Sequence, residues 1–114
     1  MELLVLVLNK TDELEFLLKE FMNMGIKGAT VIDSTGMASF FDDDNDIPIF
    51  ASLKLIINKN NKSNKTLFVV LHEEQVDDAI DTIERTIGDL SKPGVGIVFT
   101  LPLNRVKGGM FEDL

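Results

Sequence analysis

The sequence predicts an α+β sandwich in which an antiparallel sheet carries two helices on one face. An apolar strand at residues 3–8 leads into a helical pattern and a strand from Gly28, and the same strand, helix, strand order recurs over residues 67–102. This is the β-α-β-β-α-β order of a ferredoxin-like domain. Because the helices cover only one face of such a sheet, we expect subunit association to cover the other. The fold alone names no activity.

Length and composition limit what the chain can be. Its 114 residues suffice for one domain, 1–114, with a core of its own. An apolar fraction of 45% beside 26% charged residues is high for a small monomer and favours an oligomer. No apolar run reaches the ~20 residues of a transmembrane helix, and the start lacks the features of a secretory signal. We therefore expect a cytoplasmic protein that is not embedded in a membrane.

Charge and residue content exclude several function classes. The chain has no Cys, which excludes disulfides, thiolate nucleophiles and sulfur-ligated zinc. Its formal net charge of −8 repels phosphate backbones, so we expect no nucleic-acid binding. His72 is the sole His and lies where a predicted strand meets a predicted helix, and catalytic use would need a neighbouring Ser nucleophile or orienting carboxylate. We predict a structural role for His72, no catalytic residues and no enzymatic activity.

The first strand-helix-strand unit has clear boundaries. The continuous apolar run at residues 3–8 predicts a central strand that is covered on both faces. Thr11 or Asp12 is expected to cap the helix that follows, and Gly25 to end it. Apolar residues at spacings of three and four predict the buried face of this helix: Leu14, Leu17, Leu18, Phe21, Met22 and Met24. The second strand is predicted over residues 28–35.

Residues 37–65 lack a clear period and form an irregular segment of the domain. Such a stretch is long for a passive connection, so we expect it to have a function. Residues 50–57 form either a two-turn helix or a strand, and the helix is favoured because Phe50, Leu53, Ile56 and Ile57 would share one helical face. Four acidic residues are predicted to contact a partner protein or solvent: Asp42, Asp43, Asp44 and Asp46. Their spacing lacks the Gly and terminal Glu of a calcium-binding EF-hand loop, so no metal site is predicted there.

The second unit repeats the pattern. A strand is predicted over residues 66–71, then a helix that starts at His72 and stops at Gly88, then a strand over residues 96–101. The buried face of this helix is predicted to contain Val76, Ala79, Ile80, Ile83 and Ile87.

Cations and glycines occur together in two places. The tail after the last strand contains Arg105 and Lys107 beside two glycines. Taken alone, these cations are either solvated or part of a phosphate site, for which Arg is well suited. The sequence KPGVG at residues 92–96 is either a turn or a phosphate cradle, because a lone Gly-x-Gly is a weak signal.

Four segments resemble the PII signal-transduction family and follow the order of that family. They are LVLNK at 6–10, GIKGATV at 25–31, VDDAIDTIERT at 76–86 and RVKGG at 105–109. The resemblance implies a ferredoxin-like homotrimer that binds adenine nucleotides in clefts between subunits. It also implies regulation of a membrane transporter or an enzyme through a long loop.

The resemblance extends to individual residues. Gly28 and Thr30 match strand positions that meet the adenine in the family. Arg105 and Lys107 match basic tail residues that meet phosphates, with Lys in place of Arg. The glycine-rich loop is matched with an altered spacing by Lys92, Gly94 and Gly96. The resemblance implies an adenine nucleotide as effector, with or without Mg²⁺, and no required cofactor.

The middle segment departs from the family pattern. The family's loop begins with Gly-Phe-Gly-Arg, whereas this chain has GMAS at residues 36–39. The chain also has no Tyr, the residue that some members carry in modified form. These differences indicate a divergent member with a partner of its own.

Two other functions stay open at this point. A metal-responsive protein resembling the divalent-cation tolerance family would share the trimeric ferredoxin-like plan. With no Cys and one His, its metal ligands would be carboxylates. The third possibility is a structural or interaction module that binds no ligand.

Overall fold

The computed structural model describes residues 1–37 and 64–109. Its main elements follow the predicted order: β1 (Glu2–Leu8), α1 (Leu14–Asn23), β2 (Thr30–Ser34), β3 (Asn64–Leu71), α2 (Val76–Ile87) and β4 (Gly96–Pro102). The predicted helix at residues 50–57 and the acidic residues Asp42, Asp43, Asp44 and Asp46 lie outside the described residues.

The four strands of the described residues form one antiparallel sheet in the order β2-β3-β1-β4. The central strand β1 pairs with β3 from Glu2 opposite Leu71, and with β4 from Glu2 opposite Pro102. β2 forms one edge of the sheet and β4 the other. This order and the two helices confirm the ferredoxin-like α+β fold.

The hydrophobic core lies between the helices and one face of the sheet. Alternate residues of β1 and β3 point to this face, as the period of two in a strand requires. The buried core side chains are Leu4, Leu6, Leu8, Leu17, Phe21, Ile26, Leu67, Val69, Leu71, Ala79, Ile83 and Ile87.

The opposite face of the sheet, here called the open face, is also apolar. Val5 lies directly opposite Phe68 on β3 and Phe99 on β4, so these three side chains share that face. Their neighbours on it are Leu3, Val7, Ile32, Val70, Ile97 and Leu101. Phe99 is 46% exposed and Ile97 57% exposed. On β1 itself, Val5 is only 6% exposed and Leu3 and Val7 are half-buried, so within the described residues the exposed apolar area of this face lies mainly on β4.

Helix α1 differs from its prediction at its start and on one face. Neither Thr11 nor Asp12 caps it with a side chain; the N–H of Leu14 instead donates to the carbonyl oxygen of Thr11 at 3.2 Å. Met22 was expected in the core but is 71% exposed. It follows the buried Phe21 by one position, which turns its side chain about 100° away from the core.

Helix α2 starts later than the sequence predicts. A 3₁₀ turn, Glu73–Gln75, follows β3, and the α-helix itself begins at Val76. His72 precedes the turn: its N–H donates to Oε1 of Gln75 at 3.0 Å, and the N–H of Gln75 donates to its carbonyl oxygen at 2.9 Å. Two reciprocal bonds to the backbone of His72 thus tighten the start of the turn, whereas the structural role of its imidazole stays a prediction.

Candidate functional site

A pocket of about 320 Å³ opens where β2 begins and β3 ends. This end of the strands is here called the pocket end. The lining residues are Lys27, Gly28, Ala29, Thr30, Phe68, Val70 and Gly109. They offer an aromatic ring and an aliphatic side chain beside one hydroxyl and one ammonium group. Apolar walls with a few polar groups are typical of small-molecule sites.

Nothing in the described residues requires glycine at position 28. Its φ is not in the left-handed region, and a Cβ built on it would have no heavy atom within 4 Å. The missing side chain therefore leaves open space beside the pocket. Gly25, three residues earlier, also has open space around it, but its φ of +85° favours glycine for the turn that ends α1.

The tail, residues 103–109, passes along the pocket end. Its first residue, Leu103, donates its N–H to the carbonyl oxygen of Met1 at 3.0 Å, and its last, Gly109, lines the pocket. The tail thus runs from the β4 edge toward the β2 edge. Arg105 and Lys107 lie along this path and are exposed. The structure therefore places the predicted tail cations on the segment that leads into the pocket containing Gly28 and Thr30.

The other predicted residues lie at the opposite end of the strands, here called the loop end. Residues 92–96, here called the glycine loop, lead directly into β4, and Gly96 pairs with Leu8 at the far end of β1. Because Leu8 is six residues from Glu2 in β1, the two ends are about 20 Å apart. One copy of the chain therefore does not bring Lys92, Gly94 and Gly96 together with the pocket.

Two glycines of the glycine loop have structural roles of their own. A Cβ on Gly96 would lie 2.6 Å from the carbonyl oxygen of Val7, so the close pairing of β4 with β1 requires glycine there. Gly94 has a φ of +81°, which also favours glycine. Neither residue needs a phosphate ligand to explain it. Lys92 is exposed and carries the positive charge of this loop.

The acidic residue of the preceding turn is held by a serine. Asp89 accepts hydrogen bonds from the hydroxyl of Ser91 at 2.7 Å and from the N–H of Ser91 at 2.9 Å. The hydroxyl bond first, and the N–H bond second, lower the pKa of Asp89. This carboxylate stays charged at neutral pH within a few residues of Lys92.

The sequence analysis did not predict four of the residues that line the pocket as site residues, namely Lys27, Ala29, Phe68 and Val70. Phe68 and Val70 alternate with the core residues of β3, so strand periodicity could have placed them on the open face. Sequence spacing does not place Phe68 and Val70 in one pocket with Gly28, because their proximity depends on how β2 pairs with β3. Gly109 was noted in the sequence only as part of the RVKGG segment.

Residues 1–108 match the sequence model of the family described as "Nitrogen regulatory protein P-II". The chain belongs to the P-II family. This membership confirms the resemblance that the four sequence segments carry. P-II proteins are regulatory proteins rather than enzymes, and they are typically trimers that interact with partner proteins.

A solved structure has a similar fold. A crystal structure of a functionally unknown protein from Pediococcus pentosaceus ATCC 25745 is similar, with a TM-score of 0.61 and 15% identity. The similarity covers 94% of this chain and 95% of the other. At that identity the likeness concerns the fold alone. No curated protein matches this chain significantly.

Two further findings apply to the described part of this P-II protein. None of the helices in residues 1–37 and 64–109 is long and apolar enough to cross a membrane. Within the same residues, no three His, Asp or Glu side chains come together in a way that could hold a metal ion.

Proposed function

We propose that this P-II protein is a cytoplasmic regulatory sensor. In this proposal, a homotrimer binds an adenine nucleotide in clefts between its subunits and controls a partner transporter or enzyme through residues 37–65. The family match over residues 1–108 is the observation that supports it most strongly.

The distribution of the candidate residues supports a site between subunits. Gly28, Thr30 and the tail cations lie at the pocket end, whereas Lys92 lies at the loop end of the same sheet. A ligand reaches both groups only if the loop end of one copy meets the pocket end of another. The open face offers an apolar surface on which copies can associate, because exposed apolar area of this kind is typical of protein interfaces.

The pocket chemistry fits a planar base joined to an anionic chain. Phe68 and Val70 can receive the base by apolar contact, and the hydroxyl of Thr30 can donate or accept one hydrogen bond. The open space at Gly28, which has no side chain, would let the ring of the base approach the backbone. Phosphates would then meet Arg105 and Lys107 of the same copy, since charged hydrogen bonds to phosphate are strong. Lys92 of a neighbouring copy would add a further positive charge.

A titration combined with a mass measurement tests this proposal. Purified protein is sized by light scattering and titrated calorimetrically with ATP, ADP, AMP and cyclic adenine nucleotides, with and without Mg²⁺. We expect a trimer with one saturable site per subunit. A folded trimer that binds none of these nucleotides would contradict the nucleotide part of the proposal, and a monomer that binds one would contradict the inter-subunit site.

A further inference from the structure

Four polar side chains form a hydrogen-bonded cluster at the loop end of the sheet, where β2 ends and β3 begins. Asn64 is only 5% exposed. Its Oδ1 accepts a hydrogen bond from Oγ of Ser34, and its Nδ2 donates to Oδ1 of Asn9 at 3.1 Å. Oγ of Ser34 also lies 2.7 Å from Oγ1 of Thr66. Side chains thus join β2, β3 and the residue that follows β1 at one point.

Asn9 also belongs to the surroundings of the glycine loop. Its N–H donates to the carbonyl oxygen of Val95 at 3.0 Å, and the N–H of Lys10 donates to the same oxygen at 3.3 Å. Asn9 is therefore fixed to the glycine loop through its backbone and to Asn64 through its side chain.

The side-chain amide of Asn64 lies beside both segments that border residues 38–63. Asn64 is the first residue of β3, so it is where the chain enters that strand. Gly36 lies just after β2, and a Cβ built on it would lie 3.3 Å from Nδ2 of Asn64. A buried amide holds its partners closely, because an unsatisfied buried donor is costly. The amide of Asn64 therefore connects Asn9 to the ends of β2 and β3.

We propose that the Asn9–Asn64 hydrogen bond transmits displacement of the glycine loop to the ends of β2 and β3 that border residues 38–63. Asn9 is then a positioning residue between a candidate ligand loop and the segment expected to meet a partner. That a ligand causes the displacement rests on the proposed function, whereas the link itself exists in the protein without ligand. Coupling of this kind requires a measured dependence of one position on the other.

Amide hydrogen exchange in the ligand-free protein tests the link. Gly94→Ala places a side chain at a φ of +81° and so displaces the glycine loop. Exchange is followed in residues 31–36 and 64–66, and the amides of α2 report global unfolding. We expect Gly94→Ala to speed exchange at the strand ends about fivefold more than in α2. In an Asn9→Ala background, this excess should disappear.

Asn9→Asp is the matched control, because it keeps the oxygen that accepts from Asn64 and should keep the excess. The proposal would be overturned if Gly94→Ala sped exchange at the strand ends over that in α2 equally in the Asn9→Ala background. It would also be overturned if Gly94→Ala produced no such excess in the native background. Should Gly94→Ala fail to fold, Asn9→Ala alone must speed exchange at residues 64–66 more than Asn9→Asp does, and equal rates would overturn the link. Absence of nucleotide binding would contradict the proposed function without affecting these results.

Discussion

Replacing Gly28 by Ala should raise the stability of the protein and weaken its ligand binding. The backbone of Gly28 is outside the left-handed region, and an added Cβ meets no heavy atom within 4 Å. An added methyl group restricts the unfolded chain, so the free energy of unfolding should rise by about 0.4–1 kcal/mol. That corresponds to an increase of ~2–6 °C in Tm. Calorimetric unfolding of Gly28→Ala against the native protein measures this part.

The same methyl group would occupy the space that the proposed base needs. Overpacking in a fitted site costs about 1–3 kcal/mol, which weakens binding by about 5- to 150-fold. The assay is titration with the adenine nucleotide that binds the native protein most tightly. A gain in stability together with a loss of affinity would show that Gly28 serves a ligand site rather than the fold.

Gly25→Ala is the control for this pair of measurements. It also adds a methyl group to open space, but at a φ of +85°. It should therefore lower stability by about 1–2 kcal/mol and leave nucleotide affinity unchanged. The reasoning is refuted if Gly28→Ala lowers Tm as Gly25→Ala does. An unchanged affinity in Gly28→Ala would remove this residue from the site.

Three further changes test the tail, the open face and the acidic turn. Arg105→Ala should weaken nucleotide binding by about 1.5–3 kcal/mol, because a charged hydrogen bond is lost; equal affinity in calorimetry would exclude Arg105. Phe99→Asp puts a charge on the open face and should convert the oligomer to monomer in light scattering, whereas Met22→Asp on the exposed side of α1 should not; an intact Phe99→Asp oligomer would place the interface elsewhere. The lowered pKa of Asp89 means that its carboxylate stabilises the fold above the ordinary value of 3.8, and that this contribution is lost as the pH falls through the lowered value. Ser91→Ala should raise this pKa toward 3.8 in a carboxyl NMR titration, and no change would contradict the assigned cause.

The sequence predicts the order and type of the described elements because the two kinds of apolar period are distinct. Alternation marks β3 and β4, and spacings of three and four mark both helices. Element ends are less predictable. The second strand was expected from Gly28, but its pairing begins at Thr30 opposite Phe68. The predicted cap of α1 was also wrong. The N–H of Leu14 donates its hydrogen bond to the backbone carbonyl oxygen of Thr11, and no side chain caps the helix.

The candidate site is predictable only in part, for a reason that concerns strand direction. Sequence motifs identify residue types, but they do not say which of them meet. Here Gly28 and Thr30 share a pocket with the end of the tail, while Lys92 does not reach it. Strand length alone could have predicted this separation, because the glycine loop directly precedes β4 and the tail directly follows it.

In the proposed function, ligand binding is linked to assembly because β4 separates the glycine loop from the tail. A strand paired along its length with β1 cannot fold back on itself, so Lys92 and Arg105 of one copy stay at opposite ends. A ligand that contacts both kinds of residue therefore binds two copies at once. Such a ligand stabilises the assembled state over the free chain by mass action. The glycine loop would then be held by a ligand in a neighbouring copy's pocket, and Asn9 connects that loop to the strand ends beside residues 38–63. In this proposal, the loop end of the sheet joins assembly, ligand binding and the segment expected to meet a partner.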